Sequence, residues 1–297
     1  MIGFLIFFLT DIFISVVFMA VYGGRRGYKN GMLLGVHVPE TAVRDLEVEA
    51  FMADYRKRNK WFYYLNIVAS GAVCFLLFWH LSIFMIVWSL WLIQLIAGAF
   101  WMLYGANRKL YEMKVRRGWG TGDYDGDCYW KNGWYDNPED NRLLVPDRFC
   151  AANYTMNMGK KAGKIVVLSG IGLTLALLVW LNVMFLRVDF IPWELAISNG
   201  KVSISSTMYA ISFSKDDVKR AELLDAMPDE SLRKTNGLSD NQQLVGEFRG
   251  SESGDSRIYV YRDHSPVLKI ELPDYTVYIN SQKAEQTEEW YHMLEAK

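Results

Sequence analysis

The sequence predicts an α-helical membrane domain with about four transmembrane helices, followed by a C-terminal antiparallel β-barrel closed by a helix. Long apolar runs are concentrated in residues 1–190, and a bilayer core about 30 Å thick needs about 20 apolar residues as a helix. In residues 193–297, by contrast, apolar residues recur with the two-residue period of strands. We therefore divide the chain into a membrane domain, 1–190, and a C-terminal domain, 193–297.

Four apolar runs predict transmembrane spans at residues 1–22, 62–80, 83–104 and 165–186. The first run is interrupted only by Asp11. No basic segment precedes it, and Arg25 and Arg26 follow it. This pattern favours an uncleaved helix with its N-terminus outside the cell over a cleaved signal peptide.

The charges of the connecting segments predict the orientation in the membrane. Loop 23–61 carries eight Lys and Arg residues and loop 105–164 carries eleven, so the positive-inside rule places both loops in the cytoplasm. Segment 188–297 carries twelve Lys and Arg against nineteen Asp and Glu, which suits the outer face of a cell membrane. The inverted orientation remains open, because long domains are translocated largely regardless of charge.

The first loop, 23–61, carries a helix signal close to the membrane. Pro39 suits the first turn of a helix, where its missing N–H has no partner to lose, and apolar residues then recur at helical spacing as far as Tyr55. The basic run 56–60, followed by Trp61, is typical of a helix end at the membrane interface. We interpret this run as an anchor for the second span, and binding to anionic lipid headgroups is the alternative.

Asp11 is the most unusual residue of the membrane domain. An ionised carboxylate at mid-span costs several kcal/mol, so we expect the neutral acid. The third span runs opposite to the first and places Gln94 at a similar depth, which predicts a structural hydrogen bond between Asp11 and Gln94 worth about 0.6–2 kcal/mol. The alternative is a proton or ion relay, although the sequence reveals no second ionisable group beside Asp11.

Three aspartates in the second loop resemble the start of a calcium-binding loop. Asp123, Asp125 and Asp127 alternate as its first ligands do, but such a loop also needs Gly at its sixth position and Glu at its twelfth. Those positions hold Cys128 and Trp134. We therefore interpret the segment as a solvated acidic turn and predict no metal site.

The residue types favour a non-enzymatic protein without a cofactor. The sequence offers no nucleophile–base set and no phosphate-binding glycine loop. The cysteines Cys74, Cys128 and Cys150 are too scattered for a zinc cluster or a disulfide framework. Lys and Arg total 32 against 33 Asp and Glu, so no basic field exists to attract nucleic acid.

Two loop motifs resemble segments of known bacterial membrane proteins. The first comprises Gly35, Pro39, Glu40, Asp45 and Tyr55, and it resembles a loop of multipass proteins related to the SdpI-like bacteriocin-immunity group. The second comprises Tyr129, Trp130, Gly133, Tyr135, Asn137, Pro138, Asp140 and Arg142, with Asn157 further on. It is similar to a domain of unknown function that often follows the first. The resemblance covers about residues 20–190 and implies no catalytic residues.

The C-terminal domain begins with the clearest hairpin signal in the chain. Asn199-Gly200 lies between two alternating segments, and this pair favours a type I′ turn. Further alternating segments predict about seven or eight antiparallel strands, and a helix is predicted over 282–296 with Trp290 on its apolar face. This succession suggests a pleckstrin-homology-like barrel.

The order of short motifs in this domain also resembles a bacterial pleckstrin-homology domain family. The matching positions are Asn199-Gly200, Arg233, Thr235, Asn236, Gly237, Gly246, Phe248, Arg249, Tyr278, Asn280 and Ser281. Phosphoinositide binding needs several cations near the first hairpin, where Lys201 stands alone. We therefore expect a protein-interaction module instead of a phosphoinositide-binding one.

These observations predict a multipass protein of the bacterial cell membrane whose C-terminal domain binds an unidentified protein partner outside the cell, as in envelope regulation. The alternative function is a small transporter or a bacteriocin-immunity-type factor that acts through the helix bundle. Asp11 and the first family resemblance favour this alternative.

Overall fold

The computed structural model describes residues 2–23, 27–120, 125–131, 133–149 and 153–295. The chain forms two compact units. The first comprises Met1–Leu77 and Phe84–Trp180, and the second comprises Phe78–Ile83 and Leu181–Lys297. Some residues named in the predictions lie outside the described part of the chain, namely Arg25, Arg26, Asp123, Cys150 and Ala296.

The first unit is built from long helices. In chain order the helices before the C-terminal domain are α1 (Ile2–Tyr22), the short α2 (Glu40–Val43), α3 (Leu46–Cys74), α4 (Leu81–Arg117) and α5 (Lys161–Phe190). Helices α1, α3, α4 and α5 each have the length and the apolar composition needed to cross a membrane. The four predicted spans are therefore confirmed as apolar helices of membrane-crossing length.

The second span is longer than predicted, because no break separates it from the preceding loop helix. Helix α2 ends at Val43, and the side chain of Asp45 then caps α3 by accepting a 2.9 Å hydrogen bond from the Glu47 N–H. From there the helix runs past the basic segment 56–60 to Cys74. No Gly or Pro interrupts residues 46–70, so nothing in the backbone favours the predicted end near Trp61.

Helix α4 also exceeds its predicted span of 83–104 and continues to Arg117. The extended ends of α3 and α4 carry residues 27–45 and 125–160, and we call this assembly the loop head. It contains two short hairpins, β1 (Met32–Leu33) with β2 (Val36–His37) and β3 (Leu144–Pro146) with β4 (Tyr154–Met156). Both loops therefore lie at one end of the helices, as the predicted turn between spans two and three requires.

The loop head has its own apolar core. One cluster joins the first hairpin to the helix extensions through Leu33, Val36, Val48, Met52 and Leu110. A second cluster joins α4 to the second loop through Leu103, Trp130, Tyr135, Val145 and Phe149. These loops are thus a folded structure rather than a tether between spans.

The packed helix bundle comprises α1, α3 and α4. Helix α5 contributes only Gly163 to the buried residues described for it. The predicted four-helix membrane domain therefore contains a three-helix bundle and a fourth helix whose apolar side chains face outward.

The C-terminal domain, described in full from Trp193 to Glu295, contains two sheets and a final helix. The three-stranded sheet has the order β5 (Glu194–Ser198), β6 (Lys201–Ser205), β7 (Ile211–Ser214). The six-stranded sheet has the order β8 (Arg220–Leu224), β12 (Val267–Glu271), β13 (Thr276–Ile279), β11 (Gly254–Tyr261), β10 (Gln243–Gly250), β9 (Leu232–Ser239). Helix α6 spans Ala284–Glu295.

The predicted sheet-rich domain with a terminal helix is confirmed, but two of its details are wrong. The Asn199-Gly200 turn is present, with φ values of 50° and 74°, as a type I′ turn requires. Strand β9 was not predicted, and the β11–β13 pair is parallel, so the strands are not all antiparallel. The hydrogen bonds place the strands in two sheets.

The core of this domain lies between the two sheets and α6. Trp193 stacks on Tyr261 with ring centroids 4.1 Å apart, and Trp290 and Leu294 of α6 close the same cluster. The side chain of the fully buried Asn280 pairs with backbone groups at the end of β11. Its amide group donates to the carbonyls of Tyr261 and His264, and its oxygen accepts from the Tyr261 N–H. The motif position Asn280 thus has a structural role.

Candidate functional site

The most concentrated set of charged side chains in the first unit lies inside the loop head. Asp127 occupies a short helical turn after Gly126, and Lys114 projects from the last turn of α4. His37 ends β2, and Arg148 follows the β3 strand. Although 90 residues separate His37 from Asp127, folding brings these groups together as one ion cluster.

All hydrogen-bonding positions of the Asp127 carboxylate are occupied. Its Oδ2 accepts from Lys114 Nζ at 2.6 Å and from the backbone N–H of His37 at 2.8 Å. Its Oδ1 accepts from Arg148 and lies 2.8 Å from His37 Nδ1. A carboxylate offers about four such positions, so this side chain, which is only 2% exposed, is fully paired.

Asp125 completes the charge balance of the ion cluster. Its carboxylate pairs with Lys114 and accepts a 3.0 Å hydrogen bond from the Asp127 N–H. Arg148 in turn donates to the carbonyl of Asp125 and covers the ring of Trp130 at 5.2 Å. Two cations thus meet two carboxylates, so the prediction of a solvated acidic turn is wrong for Asp127.

The ion cluster contains possible metal ligands, since one ligand atom each from His37, Asp125 and Asp127 lies within 4.8 Å of the others. The surroundings do not fit a divalent cation. The ammonium group of Lys114 already lies against both carboxylates, and calcium would need six to eight oxygen ligands. The arrangement instead fastens the two loops to the end of α4.

The ion cluster makes the stability of the loop head depend on pH. Burial alone raises the pKa of the Asp127 carboxyl, but hydrogen bonds from Lys114, His37 and Arg148 outweigh burial and hold the pKa below its ordinary value of 3.8. A carboxyl group whose pKa is lower in the folded state than in the unfolded state stabilises the fold. This stabilisation is complete at pH values above the pKa of the unfolded state. This contribution is lost as the pH falls through the pKa of the folded state.

We expect the stability difference between the wild-type chain and Asp127→Asn to be constant at neutral pH and to shrink below about pH 4. The reason is that protonation gives wild-type Asp127 the neutral charge that the amide always has. Unfolding of the two detergent-solubilised proteins across this pH range measures the difference. A difference that stayed the same down to the lowest pH would contradict the assignment.

A cavity of about 260 Å³ opens beside the ion cluster, lined by Tyr111, Lys114, Val115, Gly118, Gly120, Asp125 and Cys128. Pockets for small ligands usually measure about 300–1,000 Å³ and are mostly enclosed. The cavity is smaller than that range, and its two charged residues are already paired with each other. It therefore does not indicate a substrate site.

The second loop motif is a set of residues that bind one another. Tyr135 donates to the Asp140 carboxylate at 2.8 Å, and Asn137 donates to the Tyr135 hydroxyl at 3.1 Å. Asp140 also forms an ion pair with Arg142 at 2.7 Å. Asn157 links this turn to the start of α5, because its side chain bonds both the N–H and the carbonyl of Asn137.

The remaining motif positions also serve the fold of this loop. Trp130 is buried in the apolar core, and Tyr129 packs against the same cluster. The carbonyl of Pro138 accepts from Lys160 Nζ at 2.8 Å. Gly133 has a φ of 83°, and a side chain there would overlap the ring of Tyr104. The motif thus specifies a loop conformation, and no catalytic arrangement is present among its described residues.

Asp11 lies in the bundle as predicted, but its partners differ from the prediction. Trp88 Nε1 donates to its Oδ1 at 2.9 Å, and the Cys74 thiol donates to its Oδ2 at 3.6 Å. Gln94 is exposed. It lies six residues after Trp88, so the two side chains point about 120° apart around the axis of α4. The predicted Asp11–Gln94 pair is therefore wrong. The prediction compared the depths of the two residues in the membrane but did not consider which side of α4 Gln94 faces.

In the C-terminal domain, two of the matching motifs pair in register. Gly237 of β9 lies opposite Gly246 of β10, and Arg233 lies opposite Arg249. Gly246 has a φ of 120°, and a side chain there would lie 2.6 Å from Gly237 Cα. Thr235 donates to the carbonyl of Glu247 beside an irregularity in the pairing. These motifs therefore build the junction of the two strands.

A polar groove of about 420 Å³ lies next to this junction. It is lined by Thr235, Glu247, Phe248, Arg249, Asp255, Arg257, Asp274 and Tyr275. Two ion pairs cross it, Arg249 with Asp255 and Arg257 with Glu247. Such a surface can offer hydrogen bonds and paired charges to an extended chain.

No protein-family model matches this chain, and neither curated proteins nor solved structures provide a match. The resemblances to the SdpI-like-associated segments and to the bacterial pleckstrin-homology domains therefore remain predictions.

Proposed function

We propose that this chain is a non-enzymatic membrane protein whose C-terminal domain binds an extended segment of a protein partner along the free edge of β9. The two-sheet domain with its terminal helix supports a pleckstrin-homology-like module. The charge distribution supports an outward-facing domain, with the loop head in the cytoplasm. Helix α5, at 30 residues, is long enough to cross a bilayer.

The observation that carries this proposal is the position of β9. It is eight residues long and pairs only with β10 within the described residues. Arg233, Lys234, Thr235 and Asn236 are exposed. A long unpaired edge offers a row of backbone N–H and C=O groups, which is the surface that added peptide strands use.

The groove beside β9 supplies a basis for specificity. Thr235 belongs both to β9 and to the groove lining, so a strand added at this edge would point alternate side chains toward the groove. The groove carries Arg249 and Arg257 as well as Asp255 and Glu247. A partner segment with polar or charged residues at every second position would suit this surface.

Site-specific photocrosslinking in native membranes tests the proposal. A photoreactive amino acid at Lys234, on β9, is expected to capture one discrete protein from cells that express the full chain. The matched position is Glu288, which is equally exposed but lies on α6, and it should capture no such product. Capture at both positions, or none at Lys234, would reject the β9 edge as the binding surface.

A further inference from the structure

Helix α3 carries a line of buried polar side chains through the apolar bundle. Beyond Met52, the buried residues of this helix are Tyr55, Asn59, Tyr63, Asn66, Ser70 and Cys74. Their spacing of three and four residues places them on one face. Helix α1 adds Asp11 and Ser15, which are both 0% exposed. We call these eight side chains the polar seam.

Several oxygen atoms of the polar seam have no hydrogen-bond partner. They are Ser15 Oγ, Asn59 Oδ1 and the Tyr63 hydroxyl, each of them buried and unpaired within the described residues. An unpaired polar group in an apolar interior costs several kcal/mol. Three such atoms in one bundle therefore point to a polar ligand between the helices, and water is the smallest such ligand.

The two ends of the polar seam differ. At the loop-head end, Tyr55 donates to the carbonyl of Tyr22 at 2.9 Å. At the other end, beyond Asp11, aromatic rings pack closely. Phe7 lies 4.8 Å from Phe84 and 5.6 Å from Trp88 between ring centroids. The polar path thus leads from the loop head to Asp11 and is closed beyond it by apolar rings.

The groups around Asp11 select the kind of ion that it can bind. The indole N–H of Trp88 and the thiol of Cys74 both donate to the carboxylate, and their hydrogen atoms would repel a metal cation. Cys74 is the titratable side chain that contacts Asp11 from α3, while α4 contributes the non-titrating Trp88. No charged side chain contacts Asp11 among the described residues. A proton is therefore the cation that this site accepts.

We propose that the polar seam holds a chain of water molecules and that Asp11 binds a proton delivered along it from the loop-head end. The water molecule next to Asp11 gives a proton to a carboxylate oxygen, which forms an O–H bond, and takes a proton from the next water molecule. The chain becomes neutral again because one proton enters it from the aqueous phase at the loop-head end. The neutral acid then needs a hydrogen-bond acceptor. Ser15 lies one turn along the same face of α1, and its unpaired Oγ can serve as that acceptor. This inference does not depend on the proposed role of the C-terminal domain.

Infrared spectroscopy of the full chain in lipid nanodiscs tests this inference. The carbonyl stretch of the protonated Asp11 carboxyl is isolated as the difference between the wild-type and Asp11→Asn spectra, because the other carboxyl groups of the chain contribute equally to both. This difference band should be present at low pH and disappear at high pH. On transfer to D2O the band should shift quickly. Tyr63→Phe keeps the ring but removes a hydroxyl from the water chain, so it should slow this exchange by about tenfold, roughly the effect of losing one hydrogen bond.

The adjacent Tyr64 provides the matched control, since it is 57% exposed and faces away from the bundle. Tyr64→Phe should exchange at the wild-type rate. A difference spectrum without this band, or a difference band that does not change with pH, would overturn the proton site. Equal exchange rates in Tyr63→Phe and Tyr64→Phe would overturn the water chain. The two tyrosine variants keep this comparison decisive even if Asp11→Asn fails to fold.

Discussion

Replacing Asp127 by alanine is expected to destabilise the first unit by about 3–5 kcal/mol, which is the usual cost of removing one partner from a buried ion pair. The substitution leaves the buried Lys114 and the partly buried Arg148 without the carboxylate that both contact. It also removes the acceptor of the His37 N–H. Chemical denaturation of the detergent-solubilised chain, followed by tryptophan fluorescence, measures the change.

Asp54→Ala is the appropriate control for this prediction. Asp54 forms an ion pair with Arg58 at 2.8 Å, but its side chain is 52% exposed, and exposed pairs contribute under about 1 kcal/mol. Comparison of the two variants therefore tests whether the loss of stability comes from the burial of the ion pair, because both variants lose one aspartate. If the two variants lost equal stability, the ion cluster would not fasten the loop head.

Replacing Asn157 by alanine is expected to cost about 3 kcal/mol, because the lost amide leaves several buried backbone groups without a partner. Asn157 is 0% exposed, and it bonds the N–H and carbonyl of Asn137, the N–H of Gly159 and the carbonyl of Arg142. The turn at residues 135–142 should loosen, and trypsin should cleave after Arg142 more rapidly than in the wild-type chain.

Asn153→Ala provides the comparison, since Asn153 lies in the same loop with an exposed side chain. It should show wild-type stability and wild-type cleavage. Unchanged proteolysis in Asn157→Ala would mean that the apolar contacts of Trp130 and Tyr135 hold the turn without the amide.

The helices were predictable from the sequence because their signal is long and physical. An apolar run must satisfy its own backbone hydrogen bonds in a bilayer, and the four spans follow from that requirement. The start of α3 and the end of α4 were not predictable in the same way, because these helical segments are polar and extend beyond the apolar runs. Only packing against residues 27–45 and 125–160 stabilises them there.

Strand β9 shows where pattern reading fails. Its central residues, Arg233 to Gly237, are polar and do not alternate with apolar ones. An edge strand that pairs with one neighbour and exposes its side chains to solvent does not need alternating apolar residues. Its signal was instead a motif, and the register of Gly237 with Gly246 gives that motif a physical meaning that spacing alone could not supply.

The two buried polar sites differ in how far the sequence could have revealed them. His37, Lys114 and Arg148 are distant in the chain from one another and from Asp127, so only the fold could assemble the ion cluster. The polar seam was partly within reach, because Asn66 and Ser70 recur at helical spacing inside the predicted span 62–80, and Asn59 lies seven residues before Asn66 on the same face. That periodicity was missed because Asp11 was treated as an isolated residue.

The unbroken course of α3 gives the loop head a mechanical connection to the bundle interior. At a rise of 1.5 Å per residue, the helix is about 44 Å long, and Arg117 holds its first turn through Glu47 at 3.0 Å. A continuous hydrogen-bonded helix moves nearly as one body, so a rotation imposed at Glu47 also turns Asn59 and Cys74. A displacement of the loop head would thereby reorient side chains deep among the helices without any hinge between them.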